Sequence, residues 1–297
     1  MRSGAETDLP AVGLAGAGKV GLVLAGALRR AGHRIAAVWD SHEPAQDRAE
    51  QSFPSIQRVG IASDLALHAG LVIVAVPDDV LGDVIENLAA GPEPWQGVTV
   101  VHVSGRYGSQ VLQPLADRGA VTGAMHPAMA FAGDVTTELE RLSGACFAVT
   151  AGPEDSPRIR RMVRRMGGKP IEVAEADRGL YHAALAHGSN HLVTLVVQAT
   201  RMLEAAGVGS PAEVLGPPLR AALENALSRG ADGATGPVVR GDLGTVDAHL
   251  RALENALPAA LPTYRAMSLA GADIAWEAGQ LPTEQFEKLK NLLLERS

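Results

Sequence analysis

Ten residues near the start of the chain, Val12-Gly13-Leu14-Ala15-Gly16-Ala17-Gly18-Lys19-Val20-Gly21, leave it few ways to fold. They hold Gly-x-Gly-x-x-Gly at Gly16, Gly18 and Gly21, and each glycine has its own physical task. Gly16 permits a tight strand-to-helix turn, Gly18 lets the backbone approach a pyrophosphate, and Gly21 lets the helix pack closely on the strand. The helix that follows aims its unpaired N–H groups and the positive end of its dipole at that phosphate. The surroundings strengthen the motif. A short apolar segment, residues 11–15, leads in, and Val20, Val23, Leu24, Ala27 and Leu28 recur at helical spacing. Ala31-Gly32-His33 supplies a glycine stop, residues 35–39 read as a second strand, and Asp40 closes it. This is one βαβ unit with a carboxylate about 20 positions beyond the glycines, where a ribose-binding acid sits. A dinucleotide is the expected ligand. A structural glycine turn in another α/β protein is the competing reading.

The first half continues the alternation. Residues 71–76 form a continuous apolar run, as expected of a parallel strand buried on both faces. Pro77-Asp78-Asp79 ends it and opens a helix over 80–88. Strands are expected at 98–103, 121–124, 145–150 and 171–173, with helices at 109–118 and 155–166. The fold class is α/β, a doubly wound Rossmann-type parallel sheet followed by an all-α C-terminal domain. The expected domains are residues 1–174, binding the dinucleotide, and 175–297, all-helical, for substrate and dimerisation.

In the second half, residues 178–206 read as one long helix, with further helices over 218–228, 245–256, 258–278 and 283–295. The middle of the long helix, Leu192-Val193-Thr194-Leu195-Val196-Val197, is apolar on nearly every side and is expected to be buried all round. Such a helix in a small helical domain points to a partner subunit, so a homodimer is expected.

Ligands of doubly wound sheets lie beyond the carboxyl ends of the strands. Hydride transfer to a carbonyl or imine needs a nicotinamide against the electrophilic carbon and a donor that polarises the oxygen or nitrogen. The candidate catalytic residues are His126, Asn190, Ser104 and Arg240. His126 is a candidate general acid, against a histidine that caps the turn before Pro127. Asn190 can orient substrate or nicotinamide, against satisfying a buried backbone group. Arg240 can clamp a carboxylate, against an ion pair with Asp242. Ser104 can touch cofactor or substrate, against an ordinary turn serine. The candidate cofactor-binding residues are Gly16, Ala17, Gly18, Lys19, Val20, Asp40, Ser41, Val76, Pro77 and Ser104. His33, His42 and His68 are expected at the surface.

Composition removes other classes. The formal net charge of −7 argues against nucleic acid or an anionic membrane as the main partner, and leaves a small-molecule substrate. Cys146 is the only cysteine, expected as a small core residue; it excludes an internal disulfide and a cysteine metal cluster, in keeping with a reducing cytoplasm. Residues 1–10 are polar, lack the apolar core of a signal peptide and are expected to form a frayed tail. No apolar run is long enough to span a bilayer. His187 and His191 stand four apart with no nearby carboxylate, so no metal site is expected, and a Gly-x-Ser-x-Gly elbow is missing.

Six motifs in order carry a resemblance. They are the glycine turn, Val76-Pro77-Asp78-Asp79, His102-x-Ser104-Gly105, His126-Pro127 with Phe131, Tyr181-His182-Ala183-Ala184 with Ser189-Asn190-His191, and Gly236-Pro237-x-x-Arg240-Gly241-Asp242 with Thr245 and His249-Leu250. Together they resemble the bacterial Rossmann-like proteins that carry a C-terminal domain of unknown function 2520. That family is similar in architecture to pyrroline-5-carboxylate reductases, 3-hydroxyisobutyrate dehydrogenases and ketopantoate reductases. The resemblance implies an NAD(P)-dependent oxidoreductase acting on a small 2-oxo acid or related carbonyl, with 2-dehydropantoate as the leading substrate. The alternatives are an imine reductase of the pyrroline-carboxylate kind, or a dinucleotide-binding sensor without turnover. Two departures matter. The 3-hydroxyacid dehydrogenases place a lysine four residues before the long-helix asparagine; if Asn190 is that asparagine, Ala186 stands in the lysine's place, and either another group such as His126 or His187 acts or the activity is lost. Relatives often end the second strand with Ser-Arg, which suits a 2'-phosphate. Here the residues are Asp40-Ser41-His42, which favour NAD if Asp40 faces the ribose and leave NADP open if Ser41 and His42 do.

Overall fold

The computed structural model describes residues 9–294. Strands and helices alternate as β1 (Val12–Ala15), α1 (Lys19–Arg30), β2 (Ile35–Trp39), α2 (Glu43–Ser52), β3 (Gln57–Arg58), α3 (Leu65–His68), β4 (Leu71–Val74), α4 (Leu81–Ala90), β5 (Thr99–His102), α5 (Gln113–Ala116), β6 (Val121–Pro127), α6 (Val135–Leu142), β7 (Cys146–Ala151), α7 (Ser156–Arg165) and β8 (Lys169–Glu172). Among the described residues only helices follow: α8 (Arg178–Leu185), a π turn (Ala186–Asn190), α9 (His191–Ala205), α10 (Pro211–Arg229), α11 (Leu243–Ala256), α12 (Leu261–Glu277) and α13 (Thr283–Leu294).

The strands form one sheet in the order β3-β2-β1-β4-β5-β6-β7-β8. Its order reverses at β1, which pairs with β2 on one side and β4 on the other, Val12 standing beside Leu71 and Ala15 beside Val74. A crevice outside the carboxyl ends of the strands opens at such a reversal. Strand periodicity sorts the side chains. Leu71 and Ile73 pack into a layer with Leu14, Leu24, Leu28 and Phe147, while Val72 and Val74 pack into the opposite layer with Leu81, Leu88, Trp95 and Val100. Burial on both faces is why these strands read as unbroken apolar runs.

The sheet departs from a uniformly parallel one at a single joint. β7 runs antiparallel to β6, with His126 opposite Ala148 and Pro127 opposite Phe147. The chain turns back through α6, and the amide of Ala128 already bonds Cys146 O. α2 and α6 lie beyond the elements expected from hydrophobic periodicity, because they are mostly polar. α2 buries only Ala45 and Ala49, and α6 is set by Asp134, whose carboxylate caps the amides of Thr136 and Thr137.

Three expectations about burial are corrected. Cys146 opens β7 and is exposed rather than in the core. His33 is buried, its Nδ1 2.9 Å from Pro10 O. Leu9 and Pro10 are half-buried, while the rest of the expected tail, residues 1–8, lies outside the described residues.

The chain divides into two compact units between His187 and Gly188, within the π turn. The second unit has a core of Val246, Leu250, Ala272, Ala275, Phe286, Leu289 and Leu293, contributed by α11, α12 and α13. In contrast, α9 and α10 have no buried residue. The apolar middle of the long helix is therefore not enclosed as expected. Val193 is 64% exposed and Val197 43% among the described residues. No helix among the described residues is long and apolar enough to cross a membrane.

Phe147 ties the antiparallel joint to the core: it is fully buried, and a Cβ on Gly168 would lie 2.6 Å from its ring. Phe147→Ala is expected to lower the unfolding free energy by about 3–5 kcal/mol in urea titrations.

Candidate functional site

The glycine turn is built as its spacing requires. Gly16 has φ +94°, a conformation that disfavours side chains, and a Cβ there would strike Ala75 O. A Cβ on Gly21 would strike Gly16 O. Gly18 differs: nothing lies within 4 Å of where its Cβ would be. It is the N-cap of α1, no side chain caps that helix, and its first turn holds no acid. The approach to Gly18 is therefore open, at a helix end whose unpaired amides and dipole favour an anion, a fit for a pyrophosphate.

Asp40 at the end of β2 holds this turn. Its Oδ2 accepts from Ala17 N at 2.7 Å and its Oδ1 from His42 N at 2.9 Å. Ala17 is buried with its N–H committed to Asp40, so it shapes the turn rather than donating to a ligand. Ser41 is exposed and its hydroxyl meets His42 Nδ1 at 3.0 Å. Lys19 is exposed, Nζ reaching Ala132 O at 3.4 Å. Val20 is half-buried; Val76 and Pro77 follow β4, with Val76 packed beside the space that a Gly16 Cβ would take.

The next loop along the carboxyl edge, after β5, is held from below. His102 is fully buried. Its Nδ1 accepts from Ser104 N at 3.2 Å, so its other nitrogen carries the hydrogen and donates to Gly108 O at 2.7 Å. Ser104 Oγ accepts from the amides of Arg106 and Tyr107, both at 3.1 Å. Ser104 is 6% exposed and shapes the turn. Glu175 accepts from Ser109 N at 2.8 Å and from Gln110 N at 3.4 Å, and a Cβ on Gly108 would collide with its carboxylate. Arg178, at 1% exposure, donates to Ser104 O at 3.2 Å, Ala148 O at 2.9 Å and Thr150 Oγ1 at 2.8 Å. All three acceptors are neutral. Burial lowers the pKa of its guanidinium, with Tyr181 and Glu175 acting the other way.

Above this loop the structure brings together His126, Tyr181 and His182. His126 Nδ1 lies 2.9 Å from Tyr181 Oη, and its ring meets that of His182 edge-on at 5.8 Å. Gly105 makes room for them: a Cβ there would sit 2.6 Å from His182 Cδ2 and 3.0 Å from His126 Nε2. The guanidinium of Arg178 lies 5.9 Å from the centre of the Tyr181 ring. Burial, then repulsion from His182 and Arg178, holds the His126 pKa down at about 4. Burial raises that of Tyr181, with Arg178 pulling it back. At neutral pH the pair is a neutral imidazole hydrogen-bonded to a neutral phenol, beside the buried guanidinium of Arg178.

The remaining candidates belong to the second unit. Asn190 ends the π turn and is exposed; Arg240 is exposed, while Asp242 caps α11 through Thr245 N and Oγ1. Among the described residues no three His, Cys, Asp or Glu side chains come together as a metal site. Tyr181, Arg178, His102 and Glu175 were not candidates from sequence. A helical i, i+3 spacing joins Arg178 to Tyr181, yet nothing in the linear order places either beside β5 and β6.

Two family models match, a Rossmann-like domain over residues 3–127 and a domain of unknown function, DUF2520, over residues 145–270. The first match ends with β6, and the second runs from β7 into α12. No curated protein matches the sequence. Among solved structures, the chain is similar to a proposed NADP oxidoreductase from Bacteroides fragilis (TM-score 0.74, 21% identity, covering 90% of this chain and 99% of that one). A reductive aminase from Aspergillus terreus in complex with NADPH and ethyl levulinate is similar at TM-score 0.61 and 20% identity, covering 96% and 92%. A variant imine reductase from Myxococcus stipitatus in complex with NAD+ is similar at TM-score 0.57 and 18% identity, covering 96% and 99%. These likenesses show the fold of the chain.

The buried histidines set a pH dependence. The folded pKa of His102 falls from 6.5 to about 4, chiefly by burial, and His126 shifts likewise. Below pH 6.5 the unfolded chain takes up protons that the folded chain refuses. Stability is therefore expected to be full above pH 6.5 and to fall by up to about 1.4 kcal/mol per pH unit per histidine on the way to pH 4. Urea unfolding across that range measures it, and a flat profile would contradict the two buried neutral rings.

Proposed function

We propose that this protein is an NAD(P)H-dependent reductase of a small carbonyl or imine, with a 2-oxo acid such as 2-dehydropantoate as the first substrate to test. The open backbone at Gly18, on the uncapped end of α1, carries the reading. Gly16, Gly18, Gly21 and the first-turn amides would hold the pyrophosphate, and Asp40 would meet the adenosine ribose. When bound, the nicotinamide supplies a hydride.

The protein's own part is the proton. A neutral His126 can donate a hydrogen bond from Nε2 to the substrate oxygen or nitrogen, as neutral imidazoles do in other carbonyl chemistry. As charge develops there, the Nε2 proton passes to substrate and the Tyr181 hydroxyl proton passes to Nδ1. The phenol is then the net acid, and the nearby Arg178 guanidinium favours the phenolate that results. This pair answers the substitution of Ala186 for the expected lysine. Asn190 and Arg240 stay in the proposal as groups that orient substrate, Arg240 by binding a carboxylate.

Titration with NADH and NADPH, followed by a panel of oxo acids and cyclic imines, tests the proposal. Gly18→Ala is expected to weaken cofactor binding at least tenfold without loss of fold, since its Cβ enters open space. Tyr181→Phe is expected to lower kcat by about 10²–10⁴ while leaving cofactor Kd within about twofold. Because His126 is already neutral well below pH 6.5, the rate of reduction should show no fall through pH 6.5 of the kind an imidazolium donor would give. Asp40 favours NADH, and Asp40→Asn should narrow that preference. Cofactor binding without any turnover would select the sensor reading.

A homodimer belongs to the same proposal. α9 and α10 have no fully buried residue, and isolated helices of 15 and 19 residues are marginal in water. A second copy covering Val193, Val197, Leu223 and Leu227 would supply the missing burial. Sedimentation should give twice the chain mass, and Val193→Asp should shift the protein toward monomer.

A further inference from the structure

The amino edge of the sheet, opposite the glycine turn, holds a cavity of about 470 Å³ that the reductase reading does not use. Leu71 and Thr99, the first residues of β4 and β5, form part of its wall, so it lies a strand's length from the carboxyl edge. Leu9, Pro10 and Met162 add apolar wall, and Arg158, Arg161 and Arg165 line it from α7. The volume is within the usual range for small-molecule pockets.

The charge is unusual for this chain. α7 carries five arginines in Ser-Pro-Arg-Ile-Arg-Arg-Met-Val-Arg-Arg and no acid in its first turn, in a protein of net charge −7. Its other face is conventional, with Ile159, Met162 and Val163 buried. Arg158, Arg161 and Arg165 follow an i, i+3, i+7 spacing, so they share a face and repel one another. Arg160 has Glu172 at 3.4 Å. Among the described residues the three cavity arginines have no ion-pair partner. A second feature points the same way. Thr99 is 3% exposed, and its Oγ1 has no hydrogen-bond partner. Buried hydroxyls ordinarily find one.

We propose that this cavity binds a small organic anion with at least two carboxylate or phosphate groups on a short apolar skeleton. Two or more of the arginines would take its charges, Thr99 would complete a hydrogen bond, and Leu71 and Met162 would pack on the skeleton. The site is separate from the dinucleotide turn, which follows β1 at the other edge.

Calorimetric titration of the full chain with citrate and with inorganic pyrophosphate, at constant ionic strength, tests this. Saturable binding of one probe per chain is expected, weakened at least tenfold by the double variant Arg161→Gln/Arg165→Gln. The control Arg30→Gln/Arg48→Gln, which removes two exposed arginines elsewhere, should stay within about twofold. Thr99→Val keeps the side-chain shape and removes an unpaired hydroxyl, so it should fold at least as stably while binding severalfold more weakly. Citrate alone would mark a polycarboxylate site, pyrophosphate alone a phosphate site. Absence of saturable binding by either probe, binding that survives Arg161→Gln/Arg165→Gln, or equal losses in both double variants would overturn the proposal.

Discussion

The first unit depends on one backbone contact. Gly16 presses against Ala75 at the end of β4, and Gly21 presses against Gly16, with no space for a Cβ at either point. That contact brings α1 down on the sheet where β1 separates β2 from β4. It also decides where the N-terminus of α1 points. The open approach to Gly18 is a consequence of closure at the other two glycines. Asp40 completes the arrangement by tying the turn to the end of β2 through Ala17 N.

A second set of polar contacts orders the neighbouring edge. His102, Glu175 and Arg178 all serve the loop after β5, each from a different element, and each satisfies backbone groups that would otherwise be orphaned. Buried polar groups are costly unless paired, so a loop held this way has one conformation rather than several. Its rigidity places Gly105 under His126 and His182. Arg178 links this support to the candidate chemistry, since the same guanidinium that holds Ser104 O lies beside the Tyr181 ring. Support and electrostatics are one residue's work here.

Much of the first unit was legible in the linear order. The apolar runs at β1, β2, β4 and β5 were read because strands buried on both faces are apolar throughout. α2 and α6 escaped because they bury few side chains. Of the candidate site, His126 was legible from its place after a strand. Tyr181 was not, because its 55-residue separation from His126 is closed only by the antiparallel return of β7 and the path through β8 to α8. Ser104 illustrates the reverse case: a serine at a strand end suggests chemistry, but its hydroxyl is engaged by two amides of its own turn.

Sequence alone determined the βαβ opening, the change from alternating to helical character after β8, and the three glycines, since each follows from local spacing and from the sterics of a missing Cβ. Tertiary structure decided which polar residues meet. The neutral state of His126, the buried charge of Arg178 and the unpaired hydroxyl of Thr99 are properties of burial and of neighbours brought from distant elements. A residue's type records what it can donate or accept; only the packed chain sets its dielectric surroundings and its partners, and those two quantities govern where its proton and its charge reside.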